Sequence, residues 1–412
     1  VARRLLIHFF GIAMGRLGSL ICLALMHALV DACALLIGPL WPGIERQYGL
    51  SLAGLSAAFI VQSLPTNVSQ VVFGWMRDRR PMPRFIWIGP LVAAAALPLM
   101  GVATHPLVLF ALLTVGGIGV GAFHPEAAVA AGRMLPESRT RAISIFMLGG
   151  TLGMTLGPFL SGLVVSRWGM SGLALLIAPM MIGIVVLRQI GGLGRIERQE
   201  VAPAADRSLF EGRFGLAMGL LAICSLRLVP NMAIEKILAY MLEAKGADVA
   251  AIGQMQSLFL GSTALGMMLM AMVYRGGRER AFLIATPLVS VPLLWILSRP
   301  DCPEWLFLTA LIGFGSILWG TTPAMVAYAQ QQFPRGAGFA SALTMGFSWG
   351  IAGLIQTPIT AWYRSEGRPG DALVAFIPCL IVSAAGALLL PATRREESIA
   401  VKPSTVLAEE AS

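Results

Sequence analysis

The sequence predicts an all-α polytopic membrane protein of twelve transmembrane helices, and three observations carry that prediction. Only 12% of its residues are charged and 57% are hydrophobic, against about 25% charged in a soluble domain. Apolar runs of about twenty residues recur along the 412-residue chain, each long enough to cross roughly 30 Å of hydrocarbon as a helix. Their hydrophobicity does not alternate every second residue, as the strands of a membrane barrel would require.

The runs lie at about 17–43, 51–76, 85–103, 106–132, 141–166, 171–188, 214–241, 250–274, 281–298, 304–332, 336–363 and 371–391. Ahead of them, "VARRLLIHFF" lacks a small-residue cleavage site and is read as a cytoplasmic lead-in to the first span. Between the sixth and seventh runs, "GGLGRIERQEVAPAADRSLFEGR" is the longest polar interruption. It divides the chain into a six-helix bundle over residues 1–188, a linker loop at 189–213 and a second six-helix bundle over 214–392. The tail at 393–412 has no apolar face and is expected to be disordered. Pro125 and Pro323, and Pro136 and Pro334, repeat at one fixed interval, as duplicated halves would. Six plus six spans is the layout of transporters whose substrate site lies at the midplane between two repeats.

The net charge of +9 raises the question of nucleic acid. Its placement answers otherwise. Of the 30 Lys and Arg, 22 fall in the N-terminal tail, the loops after even-numbered spans and the C-terminal tail, six fall in the opposite loops, and two lie within spans. That bias predicts cytoplasmic termini. It assigns the basic charge to topology, with no nucleic-acid partner. The five cysteines have no CxxC spacing and lie mostly in apolar runs, so neither a metal site nor a disulfide framework is read from them.

Polar residues inside the spans are costly and mark candidate functional positions. In the first span, "MHALVDACALL" places His27 and Asp31 four apart on one helical face. In the fourth, "IGVGAFHPEAAVAAG" carries His124, Pro125 and Glu126 in succession. Pro125 removes the hydrogen bond to the carbonyl of Gly121 and is expected to bend the helix beside two groups that exchange protons. At about 1.5 Å per residue, His27 and His124 lie at similar depths, with Asp31 near the midplane. Glu126 or Asp31 is therefore the candidate proton carrier, with His27 and His124 tuning or relaying. A structural hydrogen-bonded cluster is the alternative.

In the seventh span, "CSLRLVPNMAIEKIL" sets Arg227, Asn231 and Glu235 along one face. Arg227 lies about as deep as Asp31, and pairing with Asp31 or Glu126 competes with binding of an anionic substrate. Glu235 and Lys236 are expected to reach the outer interface by snorkelling. Trp319, Trp349 and Phe347 either wall a substrate site or pack between helices. The Gly117-Ile118-Gly119 run lies mid-span without a preceding strand, so it is not a dinucleotide site. Without a P-loop, HExxH or GxSxG there is no sign of an enzyme.

Two further motifs carry a family resemblance. "GWMRDRRPMPR", after the second span, supplies Gly74, Asp78, Arg79, Arg80 and Arg84. It resembles the loop 2–3 motif of the major facilitator superfamily. The resemblance implies that Gly74 lets helix 2 approach helix 11, and that Asp78 closes a cytoplasmic gate with an arginine of the helix 4–5 region, for which Arg133, Arg139 and Arg141 are candidates. The second-half copy, "AMVYRGGRER", departs from the pattern with Arg275 at the aspartate position. "GGTLGMTLGPFLSG" sets Gly149, Gly153 and Gly157 on one face, followed by Pro158, Ser161 and Gly162. It resembles the helix 5 motif of the superfamily's antiporters, while small residues at that spacing also serve plain helix packing.

"FHPEA" with the H-x-x-x-D of the first span resembles the fosmidomycin-resistance-like branch over nearly the whole chain, most strongly from about 24 to 165. The resemblance implies a proton-driven exporter of small organic molecules or drugs, without a cofactor, in the lipid bilayer of a bacterial inner membrane, and a monomer is expected. A proton- or ion-coupled importer of an organic anion is the alternative within transport. A membrane-embedded enzyme or sensor would need a catalytic constellation or an appended domain.

Overall fold

The computed structural model describes residues 15–80, 82–135, 139–193, 212–273, 277–299, 301–333, 340 and 342–392. Within them the chain makes twelve helical traverses, and no strand is present among the described residues. The first six are α1 (Arg16–Leu35, prolonged through a 3-10 turn at Gly38–Leu40 into Trp41–Tyr48), α2 (Leu52–Arg79), α3 (Phe85–Leu99), α4 (Pro106–Met134), α5 (Arg139–Trp168) and α6 (Ile177–Ile190, led in by a 3-10 stretch at Met170–Leu176).

The second six are α7 (Phe214–Ala244), α8 (Val249–Val273), α9 (Glu279–Leu297), α10 (Glu304–Phe314, a π-turn at Gly315–Trp319, then Thr322–Gln332), α11 (a π-turn at Ala342–Phe347, then Ser348–Ser365) and α12 (Asp371–Ala375 and Ile377–Leu388). The predicted linker at 194–211 and the tail at 393–412 lie outside the described residues.

Local chemistry sets several helix ends. Ser51 caps α2 by accepting the Gly54 N–H at 3.2 Å. His105 accepts the Leu107 N–H at 3.1 Å, with Pro106 in the first turn of α4, where its missing donor costs nothing. Gly49, at φ 56°, closes the end of the α1 extension in the left-handed conformation. Prolines run through the interiors of α2, α3, α4, α5, α7, α9 and α11 without ending them. Neighbouring helices replace the lost support, which is why membrane helices tolerate proline. The helix around Pro125 accordingly continues unbroken to Met134.

One apolar core fills the first six helices, including Leu23, Phe59, Phe123 and Phe146. Two more clusters, around Phe314 and Phe376 and around Tyr328 and Phe333, fill the second six. The bundles meet along two helix pairs. In one, α5 lies on α8, where a side chain at Gly253 would strike the carbonyl of Pro158 and one at Gly162 would strike the carbonyl of Val249. In the other, Ser63, Asn67 and Val71 of α2 face Gly353, Gly350 and Gly346 of α11. The backbone approach of α5 to α8 is open only to small residues, and without water it is packing that holds membrane helices together.

At the end of the molecule opposite the basic loops, Arg46 pairs with Glu243, and Arg364 with Glu45 at 3.3 Å. The Arg364 guanidinium also lies 4.7 Å from the centre of the Tyr240 ring. These contacts join the end of α1 to the ends of α7 and α11, tying the bundles together on that side.

Candidate proton site between the first and fourth helices

The polar residues of α1 and α4 meet against α5. His27 Nδ1 lies 2.8 Å from the backbone carbonyl of Phe146, and its ring stacks on that of Phe146 at 4.1 Å. His124 Nδ1 lies 2.8 Å from the carbonyl of Val120, one turn back on its own helix. A carbonyl only accepts, so each Nδ1 must carry the hydrogen. In the neutral rings both Nε2 atoms are then bare lone pairs. They face each other at 3.2 Å. Asp31 completes the triangle, with Oδ2 3.2 Å from His27 Nε2 and Oδ1 3.3 Å from His124 Nε2. His27 is 3% exposed and Asp31 9%.

Three acceptors converging in a dry site repel one another unless a positive species sits between them. A proton meets that need by turning one Nε2 into a donor toward its two neighbours. The two ring nitrogens and the carboxylate also lie within 4.8 Å of one another, close enough for all three to reach one metal ion.

The space for this cluster comes from a residue the sequence reading did not single out. A side chain at Gly150 would lie 2.5 Å from His27 Nε2 and 2.8 Å from Asp31 Oδ2. Its neighbours in the motif do a different task. Gly149, Gly153 and Gly157 receive the carbonyls of Ala24, Ala28 and Ala32, so they seat α5 on α1, whereas Pro158 and Gly162 face α8 across the bundle interface. The consecutive Gly149-Gly150 pair was the available signal: one glycine served helix contact, and the second lay on the face toward His27.

Glu126 does not join the cluster. Two residues beyond His124, it projects about 200° around the helix. There its carboxylate accepts the Met82 N–H at 2.7 Å and lies 3.6 Å from Arg77 Nε. Of the two alternative carriers, Asp31 is the one that stands with both histidines, while Glu126 is held by its own partners. Arg77, the residue before Asp78, is the cation of that pair, and its place one position ahead of the aspartate is the only signal of it in the sequence.

Among the described residues, a side chain at Gly74 would meet Pro125 Cβ of α4, and the described approach to α11 is made by Ser63, Asn67 and Val71. The residues that lead into α11, at 334–339 and 341, lie outside the described residues, so the approach predicted for Gly74 has no described geometry. The side chains of Asp78 and Arg79 lie outside the described residues, while Arg133 and Arg141 are exposed. The predicted gate pair thus has no described geometry.

Arg227 is fully buried, yet it does not reach across to Asp31 or Glu126. Its guanidinium donates to the carbonyl of Leu318 and to Thr321 Oγ1, with Met325 Sδ 3.8 Å away, all on α10. The π-turn in α10 lies against this point, and a widened turn leaves carbonyls free to accept. Asn231, one turn on, is fully buried with neither amide atom paired among the described residues. Glu235 is half-buried, its backbone carbonyl accepting from Gln256 Nε2 at 2.7 Å. Lys236 does not snorkel outward. It is buried with Nζ 5.4 Å from the centre of the Phe59 ring, a cation–π contact across the bundle interface. Trp319 and Trp349 meet edge to face at 4.9 Å, and Phe347 is exposed.

Comparison with known proteins matches residues 21–357 to the Major Facilitator Superfamily. The chain is 27% identical over 344 residues to the "Fosmidomycin resistance protein" of Escherichia coli, covering 82% of this chain and 84% of that protein. It is 25% identical over 390 residues to the "Uncharacterized MFS-type transporter YfnC" of Bacillus subtilis, covering 91% and 93%. Among solved structures, a D-xylose–proton symporter superposes with a TM-score of 0.69 at 13% identity, over 91% of this chain and 98% of that one. An inward-facing bacterial homologue of the human lysosomal transporter Spinster gives 0.69 at 15% identity, over 91% and 96%. At such identities the likeness is one of fold.

Proposed function

Because this chain belongs to the major facilitator superfamily, and so is a membrane-embedded secondary transporter and not an enzyme, we propose that it is a proton-coupled antiporter exporting small organic molecules. The observation that carries this reading is the convergence of His27 Nε2, His124 Nε2 and Asp31 in a buried site that needs a positive occupant. Proton uptake neutralises the cluster's net charge, and release restores the carboxylate's pull on a cationic or hydrogen-bonding substrate. One ligand then leaves as the other binds. The 27% identity to a fosmidomycin resistance protein supports the outward direction.

Alternating access follows from the two-bundle build. In the described state the Arg46–Glu243 and Arg364–Glu45 pairs hold the end away from the basic loops together. With the basic loops in the cytoplasm of a bacterial inner membrane, this is a state closed toward the outside. Substrate then binds between the bundles, and Asn231 of α7, its amide unpaired among the described residues, is the candidate contact on that helix. The importer alternative used Arg227 as its anion hook, and that guanidinium is already engaged by α10.

Purified protein in proteoliposomes tests the proposal. An imposed inside-acid gradient should drive accumulation of a transported compound, and Asp31→Asn should abolish that uphill step while leaving substrate binding measurable and insensitive to pH. Uphill transport by Asp31→Asn with normal proton dependence would refute the assignment.

A further inference from the structure

The triangle between α1 and α4 supports a reading that goes beyond proton exchange, in which an ion competes with the proton for the same three atoms. We propose that His27 Nε2, His124 Nε2 and the Asp31 carboxylate bind one divalent transition-metal ion of the zinc type.

The first argument is distance. The three edges are 3.2, 3.2 and 3.3 Å. Charge-assisted N–H···O hydrogen bonds usually close to about 2.7–2.9 Å, so the two nitrogen–carboxylate edges are longer than a tight ion pair. Ligands about 2.0–2.1 Å from a tetrahedral ion stand about 3.3 Å apart, which is the edge observed. The second is orientation. Each imidazole donates its Nδ1–H to a backbone carbonyl, Phe146 for His27 and Val120 for His124. That is how metal-bound histidines are usually held, with the tautomer fixed and the lone pair aimed at the ion.

The third argument is donor chemistry. Two imidazoles and one carboxylate select zinc, cobalt or nickel over magnesium and calcium, which take oxygen ligands. His27 and Asp31, four apart on one helix, form a rigid two-point chelate, and His124 closes it from α4. Access comes from the side where the Asp31 and His124 side chains are 13% and 19% exposed, and a water there supplies the fourth ligand of an open site.

The test uses the full chain purified in detergent with its affinity tag removed. Titration with Co²⁺ should give one ion per chain and the visible absorption of a tetrahedral nitrogen–oxygen site, and Zn²⁺ should displace it stoichiometrically. His27→Ala and His124→Ala should each weaken binding at least about 100-fold. The near-isosteric Asp31→Asn should weaken it while leaving the melting temperature close to that of the parent, which guards against a folding artefact. His105→Ala, at the exposed start of α4, should leave binding unchanged.

Failure to bind one equivalent, or equal binding by the His27 and His124 variants, overturns the proposal. A preference for Mg²⁺ over Zn²⁺ overturns it as well. No gradient enters this assay, so its failure leaves proton-driven transport to its own test, and failure of that test leaves the metal result standing.

Discussion

Gly150→Ala is the sharpest probe of the cluster, because it adds one methyl group and changes no charge. The new carbon would lie 2.5 Å from Cε1 and Nε2 of His27 and 2.8 Å from Asp31 Oδ2. Against the 3.4 Å at which ordinary contact begins, the imidazole must retreat by about 0.9 Å and the carboxylate by about 0.6 Å. The imidazole has little room to do so. Its ring stacks on Phe146 at 4.1 Å, lies 5.7 Å from Phe123, and is tethered through Nδ1 to the Phe146 carbonyl.

Overpacking of this kind costs about 1–3 kcal/mol, and replacing a mid-helix glycine by alanine returns about 1 kcal/mol. The net loss of stability is therefore about 0–2 kcal/mol. At about 2–4 °C per kcal/mol for a bundle of this size, the melting temperature should fall by only a few degrees. The cluster should suffer far more, since displacement by about 1 Å costs on the order of 100-fold in a preorganised site. Inside-acid-driven uptake in proteoliposomes, with melting followed in detergent, separates the two effects. If Gly150→Ala keeps both full uphill transport and full metal affinity, the triangle is slack and the reasoning fails.

The other predictions follow from the same geometry. Glu126→Gln keeps a carbonyl oxygen for the Met82 N–H but loses the Arg77 pair, so gradient-driven uptake should survive; its loss would return Glu126 to the proton pathway. Combining Arg46→Gln and Arg364→Gln removes two partly exposed pairs worth about 0.2–1 kcal/mol each, so opening of the end they tie should rise several-fold. Thiol labelling of Ala250→Cys from that side measures it, and unchanged labelling would show that helix packing alone holds the end shut. Arg227→Gln removes the tie from α7 to Leu318 and Thr321, and melting should record a loss of about 1–3 kcal/mol for those charge-assisted bonds. The loop charges predict that a cysteine placed within 194–211 is labelled from the cytoplasm; labelling from the periplasm would reverse the topology.

Read alone, the sequence determined the helical class and the number of traverses, because span length and charge are one-dimensional properties that the bilayer reads directly. It also brought His27 and Asp31 onto one face, since helical periodicity relates residues four apart without any tertiary contact. It gave the glycine run of α5 as a close-packing surface, again a matter of spacing. What lay across helices was beyond it. His124 meets His27 only because α5 seats α1 against α4, and Gly150 matters only once that seating is known. Glu126 was grouped with His124 by adjacency, while the fold turned it toward Arg77 and Met82. Arg227 was matched to Asp31 by depth, while rotation about its own axis pointed it at the π-turn of α10. Depth and periodicity are properties of one helix. Which neighbour a side chain meets depends on the rotation and packing of two, and only the assembled bundles decide that.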